Sequence, residues 1–66
     1  MDTKKIINNS KKIYEVIRIR HKVIFEELAK LTALENTALC MGIIWLIRNK
    51  RIVQSKENDV ITYSLA

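Results

Sequence analysis

Few side chains in this chain could do covalent chemistry. One cysteine, Cys40, and one histidine, His21, are the only candidates for a thiol–imidazole pair. They fall in different expected elements, and no third residue stands out to orient the ring. Cys40 reads more naturally as a small apolar packing residue. One Cys and one His cannot supply the ligand spacing of a zinc site, and a single cysteine forms no intrachain disulfide. A single glycine rules out a glycine-rich phosphate loop, and no paired carboxylates suggest a cleft. The expectation is therefore no enzyme, no metal and no cofactor. Binding chemistry remains. Arg48, Lys50, Arg51 and Lys56 cluster near the C-terminus, where they suit phosphate oxygens, and Asn36 and Thr37 are polar groups able to bond a base edge.

These residues need elements to hold them. With 66 residues the chain reads as a single domain, 1–66, small enough that well-packed helices or a partner subunit must stand in for disulfides and metal. The hydrophobic fraction is 48%, including eleven isoleucines, which is generous for so small a core and leaves apolar surface for a partner. Residues 1–22 are polar and basic, with no apolar core of a signal peptide. The longest apolar run, 38–47, falls short of the roughly 20 residues of a membrane span. A basic amphipathic first helix could lie on a membrane surface, but its apolar stripe is needed for the core. The expectation is a cytoplasmic protein with a reduced thiol and no membrane partner.

Charge is unevenly spread. The net charge is +5, made of +5 over residues 1–22, −2 over 23–47 and +2 over 48–66. The middle segment is acidic. The basic residues elsewhere could bind nucleic acid through their summed field or serve simply as a solvated surface.

Asp2 or Thr3 can cap a first helix, expected at about 3–18, with Ile6, Ser10, Ile13 and Ile17 at helical spacing. Val23 and Ile24 are β-branched and predict a very short strand. Phe25, Leu28, Ala29 and Leu31 restore the helical period, giving a second helix at about 25–32. A tight turn follows, with Leu34 buried and Glu35 or Asn36 capping a third helix from about Asn36 to Asn49. Leu39, Ile43, Leu46 and Gly42 face one way on that helix. The rest reads as a hairpin: a strand at Ile52–Ser55, a turn over Lys56, Glu57, Asn58 and Asp59, and a strand at Val60–Leu65. Helix, strand, helix, turn, helix, strand, turn, strand is the order of a winged helix. The class is α+β, mainly α: three helices, a C-terminal β-hairpin wing and a short strand between the first two helices.

The segments "IINNSKKIYEVI", "FEELAKLTAL" and "GIIWLIRNKRI" then carry a resemblance. The chain resembles small stand-alone winged helix-turn-helix domains of bacteria and archaea that have no assigned function. Asn9, Ile13, Leu28, Thr32, Leu34, Trp45, Leu46, Arg48 and Ile52 match their pattern. Ala33, Ile44 and Lys50 stand where that family tends to have glycine, and Ile24 where a capping Ser or Thr is usual. The resemblance implies the fold and a bacterial or archaeal setting, but no function, since this fold serves both DNA and protein contact.

The third helix is the puzzle. In a helix-turn-helix its N-terminal residues touch base edges. Here that face offers Asn36, Thr37, Cys40 and Met41, with Ile44 further along, and no arginine before Arg48. Asn36 could read adenine, or serve only as a cap. Met41, Ile44, Trp45 and Ile47 cannot all join Leu39, Ile43 and Leu46 in the core. Trp45 either packs, partly buried, against the first helix or the wing, or joins Met41 and Ile44 in a homodimer interface. Two readings follow. One is a module for double-stranded DNA in transcription regulation, with Asn36, Thr37 and Met41 in the groove and Arg48, Lys50, Arg51 and Lys56 on phosphates. The other is a protein-interaction or homodimerisation module built on Met41, Ile44 and Trp45.

Overall fold

A computed structural model describes residues Asp2–Ala66. In chain order it has α1 at Thr3–Arg20, β1 at Lys22–Ile24, α2 at Phe25–Thr32, α3 at Asn36–Arg48, β2 at Ile52–Glu57 and β3 at Val60–Leu65. The strands form one antiparallel sheet in the order β1-β3-β2. This is the winged helix the element order predicts.

Local signals start and stop the helices. The Asp2 carboxylate accepts from the Lys5 N–H at 2.9 Å and caps α1, as expected. Helix α1 continues two residues past the expected end, to Arg20, and stops where His21 takes a positive φ of 71°. Ile24 occupies the N-cap position of α2 and has no side-chain acceptor. Only the reciprocal half of a capping box forms: the Ile24 N–H donates to Glu27 Oε1 at 3.1 Å. Helix α2 ends at Ala33, in the left-handed region at φ 58°. Thr32 is buried there. Its hydroxyl donates to the Leu28 carbonyl and accepts from the Leu34 N–H, so the turn's polar groups are satisfied. Leu34, expected buried, is half-buried against the core.

The core is small and central. Ile13 and Ile17 of α1, Leu28 of α2, and Leu39, Ile43 and Leu46 of α3 meet Val23, Ile52 and Tyr63 of the sheet. Gly42 lets α3 lie close to α1, for a methyl group there would stand 2.5 Å from Cδ1 of Ile13.

The wing corrects one expectation. The predicted four-residue turn is a two-residue turn, Asn58-Asp59, and Lys56 and Glu57 belong to β2, which pairs through to Glu57 opposite Val60. Asn58 and Asp59 both take positive φ, 49° and 65°, as a type I′ hairpin requires. Both residue types tolerate this conformation, and its twist lets the strands continue to the tip. Lys22 of β1 pairs with Glu57 of β2 at 2.9 Å, tying the wing to the short strand. In β3 the neighbours Thr62 and Tyr63 are both buried, against the in–out alternation of a strand with one solvated face. Thr62 sits on the central strand between Ile24 and Ser55, so its neighbours cover it.

Candidate nucleic-acid interface

Helices α2 and α3 cross at 112°, within the range of a helix-turn-helix pair. The turn between them sets the exposed face of α3. The buried residues of α3 are Ala38, Leu39, Gly42, Ile43 and Leu46. Asn36, Thr37, Cys40, Met41, Ile44 and Arg48 point to solvent. At 100° per residue, Thr37, Met41, Ile44 and Arg48 form one stripe along the helix, and Cys40 lies beside it.

Of the two expected cap residues of α3, the structure puts Glu35 rather than Asn36 in the N-cap position, and no side-chain hydrogen bond forms there. Asn36 is the first helical residue and is exposed. A cap must precede the helical residues, so Asn36 is not the cap. Its amide and the Thr37 hydroxyl therefore face solvent at the end of α3 where the backbone N–H groups project.

The far end of α3 is closed by backbone. The Lys50 N–H donates to the Ile47 carbonyl at 3.0 Å and the Arg51 N–H to the Leu46 carbonyl at 2.9 Å. Lys50 takes φ 57° between them. This is a Schellman closure, in which glycine is the usual residue. The Asn49 amide also donates to the Trp45 carbonyl at 2.8 Å. The closure turns the chain into β2 and leaves Arg48, Lys50 and Arg51 exposed around the joint. Lys56 is exposed near the tip of the wing.

The structure thus gathers Thr37, Met41, Ile44 and Arg48 on one face of α3, with Asn36 exposed in its first turn about 100° round from Thr37. It places Lys50 at the joint and Lys56 out along the wing. Arg51 borders a different feature, a groove between α1 and α3. Trp45 is about 100° round from Ile44 and lines the same groove, half-buried, with Ile7, Ser10, Lys11, Tyr14 and Glu15 of α1. Its side chain therefore packs on the α1 side, at the edge of the stripe and one turn on from Met41. On that stripe Met41 is 39% exposed and Ile44 48%.

Burial, followed by the charge of Cys40, pushes the Tyr63 phenol above its ordinary value. On α1, the hydrogen bonds that Arg18 donates hold the Glu15 carboxyl below its ordinary value. No hydrogen bond joins His21 to Cys40 among the described residues, and they hold no cluster of three His, Cys, Asp or Glu side chains fit for a metal ion. No single helix among them is long and apolar enough to cross a membrane.

Comparison with known proteins agrees with this architecture. Residues 1–65 match the family model described as Winged helix-turn-helix domain (DUF2582). The solution NMR structure of protein BT2368 from Bacteroides thetaiotaomicron superposes with a TM-score of 0.88 at 23% identity. The alignment covers 98% of this chain and 79% of that one, and at such identity it speaks for the fold alone. The comparison with curated proteins finds no match.

Proposed function

The chain belongs to this winged helix-turn-helix family, and from that premise we propose that it binds double-stranded DNA as a transcription-associated module. The α3 stripe enters the major groove, with Asn36, Thr37 and Met41 at base edges. Arg48, Lys50, Arg51 and Lys56 contact phosphates. The observation that carries the reading is the unspent N-terminus of α3. Asn36 and Thr37 are exposed there, on the helix that this fold presents to DNA. Asn can bond adenine through two hydrogen bonds, while Met41 and Ile44 suit thymine methyl groups rather than polar edges. Such a face discriminates weakly, so most of the affinity rests on the phosphate contacts.

The test is a titration of the isotope-labelled protein with a generic duplex, repeated as salt is raised. Four phosphate contacts predict that log K falls with log salt at a slope of about −3.6. Lys56→Gln flattens that slope by about 0.9. Amide shifts confined to residues 36–41 and the wing are expected. Shifts confined to α1, or none at all, reject the reading.

A second reading rests on the exposure of Met41 and Ile44. An apolar pair at the middle of the presented face also suits a second copy of the chain. Sedimentation through the micromolar range separates the two: a monomer throughout removes the dimer, and a dimer abolished by Ile44→Lys supports it.

A further inference from the structure

The α1–α3 groove lies on the α1 side of α3 and shares only Arg51 with the residues assigned to DNA. It encloses about 390 Å³, within the size range of small-molecule sites. Two aromatic side chains, Tyr14 and Trp45, line it together with Ile7 and Leu46. The chain has only four Phe, Trp or Tyr residues in all, so half of them border this one groove. Both are half-buried, with part of each ring left open to a ligand.

Three charged residues border the groove: Lys11, Glu15 and Arg51. The Glu15 carboxylate is already engaged, accepting from both Nε and a terminal nitrogen of Arg18. Lys11 and Arg51 have no ion-pair partner among the described residues. Two uncompensated cations thus flank an aromatic, apolar cleft. The complementary ligand is a flat apolar body bearing an anion.

We propose that this groove binds a small aromatic carboxylate, whose ring lies against Tyr14 and Trp45 and whose carboxylate is met by Lys11 and Arg51. Three elements contribute to the site. Tyr14 and Lys11 come from α1, Trp45 from α3, and Arg51 from the joint whose N–H closes α3. An occupant therefore bridges the first helix and the base of the wing. The proposal does not rest on DNA binding. Because Arg51 serves in both readings, the test is made without DNA.

The probe is 2-naphthoate, with neutral 2-naphthamide as its control. Trp45 is the only tryptophan, so its indole N–H gives a single proton–nitrogen cross-peak that reports directly on the groove. Titration with 2-naphthoate is expected to move that peak saturably, together with the amides of Ile7, Lys11, Tyr14 and Arg51. The amide control and the Lys11→Gln/Arg51→Gln variant are each expected to bind about fivefold more weakly, the scale of two solvent-exposed charge contacts. Both substitutions are at the surface, and the remaining spectrum verifies that the variant is folded. Three results overturn the proposal. One is no saturable movement of the indole peak. Another is equal binding of the acid and the amide. The third is a charge-free variant that binds 2-naphthoate as well as the parent does.

Discussion

Gly42→Ala sets two effects of opposite sign against each other. Inside a helix, alanine is favoured over glycine by about 0.8–1.0 kcal/mol. The new methyl, however, would stand 2.5 Å from Cδ1 of Ile13, while the Ser10 backbone nitrogen and Cα lie at ordinary contact, 3.5 and 3.6 Å. Ile13 is fully buried, so its Cδ1 cannot swing into solvent and the core must absorb the collision. Overpacking of this kind costs about 1–3 kcal/mol. The collision wins, and the expected net loss is about 1 kcal/mol, or roughly 4–8 °C in Tm for a domain of this size. Ile13→Val isolates the cause, because it removes Cδ1 and nothing else. Alone it costs about 0.5–1.5 kcal/mol. In that background Gly42→Ala no longer meets Cδ1 and should stabilise by about 1 kcal/mol. The cycle thus predicts a coupling of about 2 kcal/mol, well above the few tenths expected of independent sites. Urea unfolding of the four proteins, followed by far-UV circular dichroism, measures it. If Gly42→Ala stabilises both backgrounds equally, the approach of α1 to α3 is not what keeps glycine at this position.

Two further predictions concern backbone strain and alkaline pH. Ala33 holds φ 58°, where a side chain costs about 1–2 kcal/mol, partly offset by the greater freedom of glycine in the unfolded chain. Ala33→Gly should therefore stabilise by about 0.5–1 kcal/mol in the same unfolding assay, and a loss of stability would show that αL strain at the end of α2 is not being relieved. The Tyr63 phenol is raised above its ordinary value by burial and by the Cys40 charge. Its contribution is fully present below the unfolded value of about 10 and is lost as pH rises from there through the folded value, because the unfolded chain ionises first. Tyr63→Phe should flatten the fall of stability with pH above about 10, and an unchanged alkaline limb would show that Tyr63 does not set it.

Elements with local signals were legible in the sequence. Helix α2 and strand β3 fall on their expected bounds, and Asp2 caps α1, because a periodic run, a β-branched run and a capping residue mark them locally. The wing turn was not. Lys56 and Glu57 are poor strand formers, so composition stretches the turn across them. What decides the matter is geometry, since Asn58 and Asp59 accept positive φ and let the strands pair to the tip. The left-handed positions at Ala33 and Lys50 show through only as places where the resembling family carries glycine.

The apolar character of α3 resolves once its neighbours are in place. Leu39, Ile43 and Leu46 are core, as the helical period predicts, and Ile47 packs half-buried against it. Trp45 lies at the boundary between the buried and exposed stripes, so the period alone cannot orient it. The crossing of α1 does so by supplying Ile7 and Tyr14 opposite it. The groove was invisible in the sequence for the same reason: its cations, Lys11 and Arg51, are forty residues apart, and only the packed fold brings them to one cleft. Of the apolar excess, Met41 and Ile44 alone remain on the presented face of α3. That residue pair, flanked by Thr37 and Arg48, is where the choice between a DNA groove and a second copy of the chain is made. Ile44→Lys therefore bears on both readings in opposite directions: it adds positive charge beside the DNA in one and buries an unpaired charge in the other.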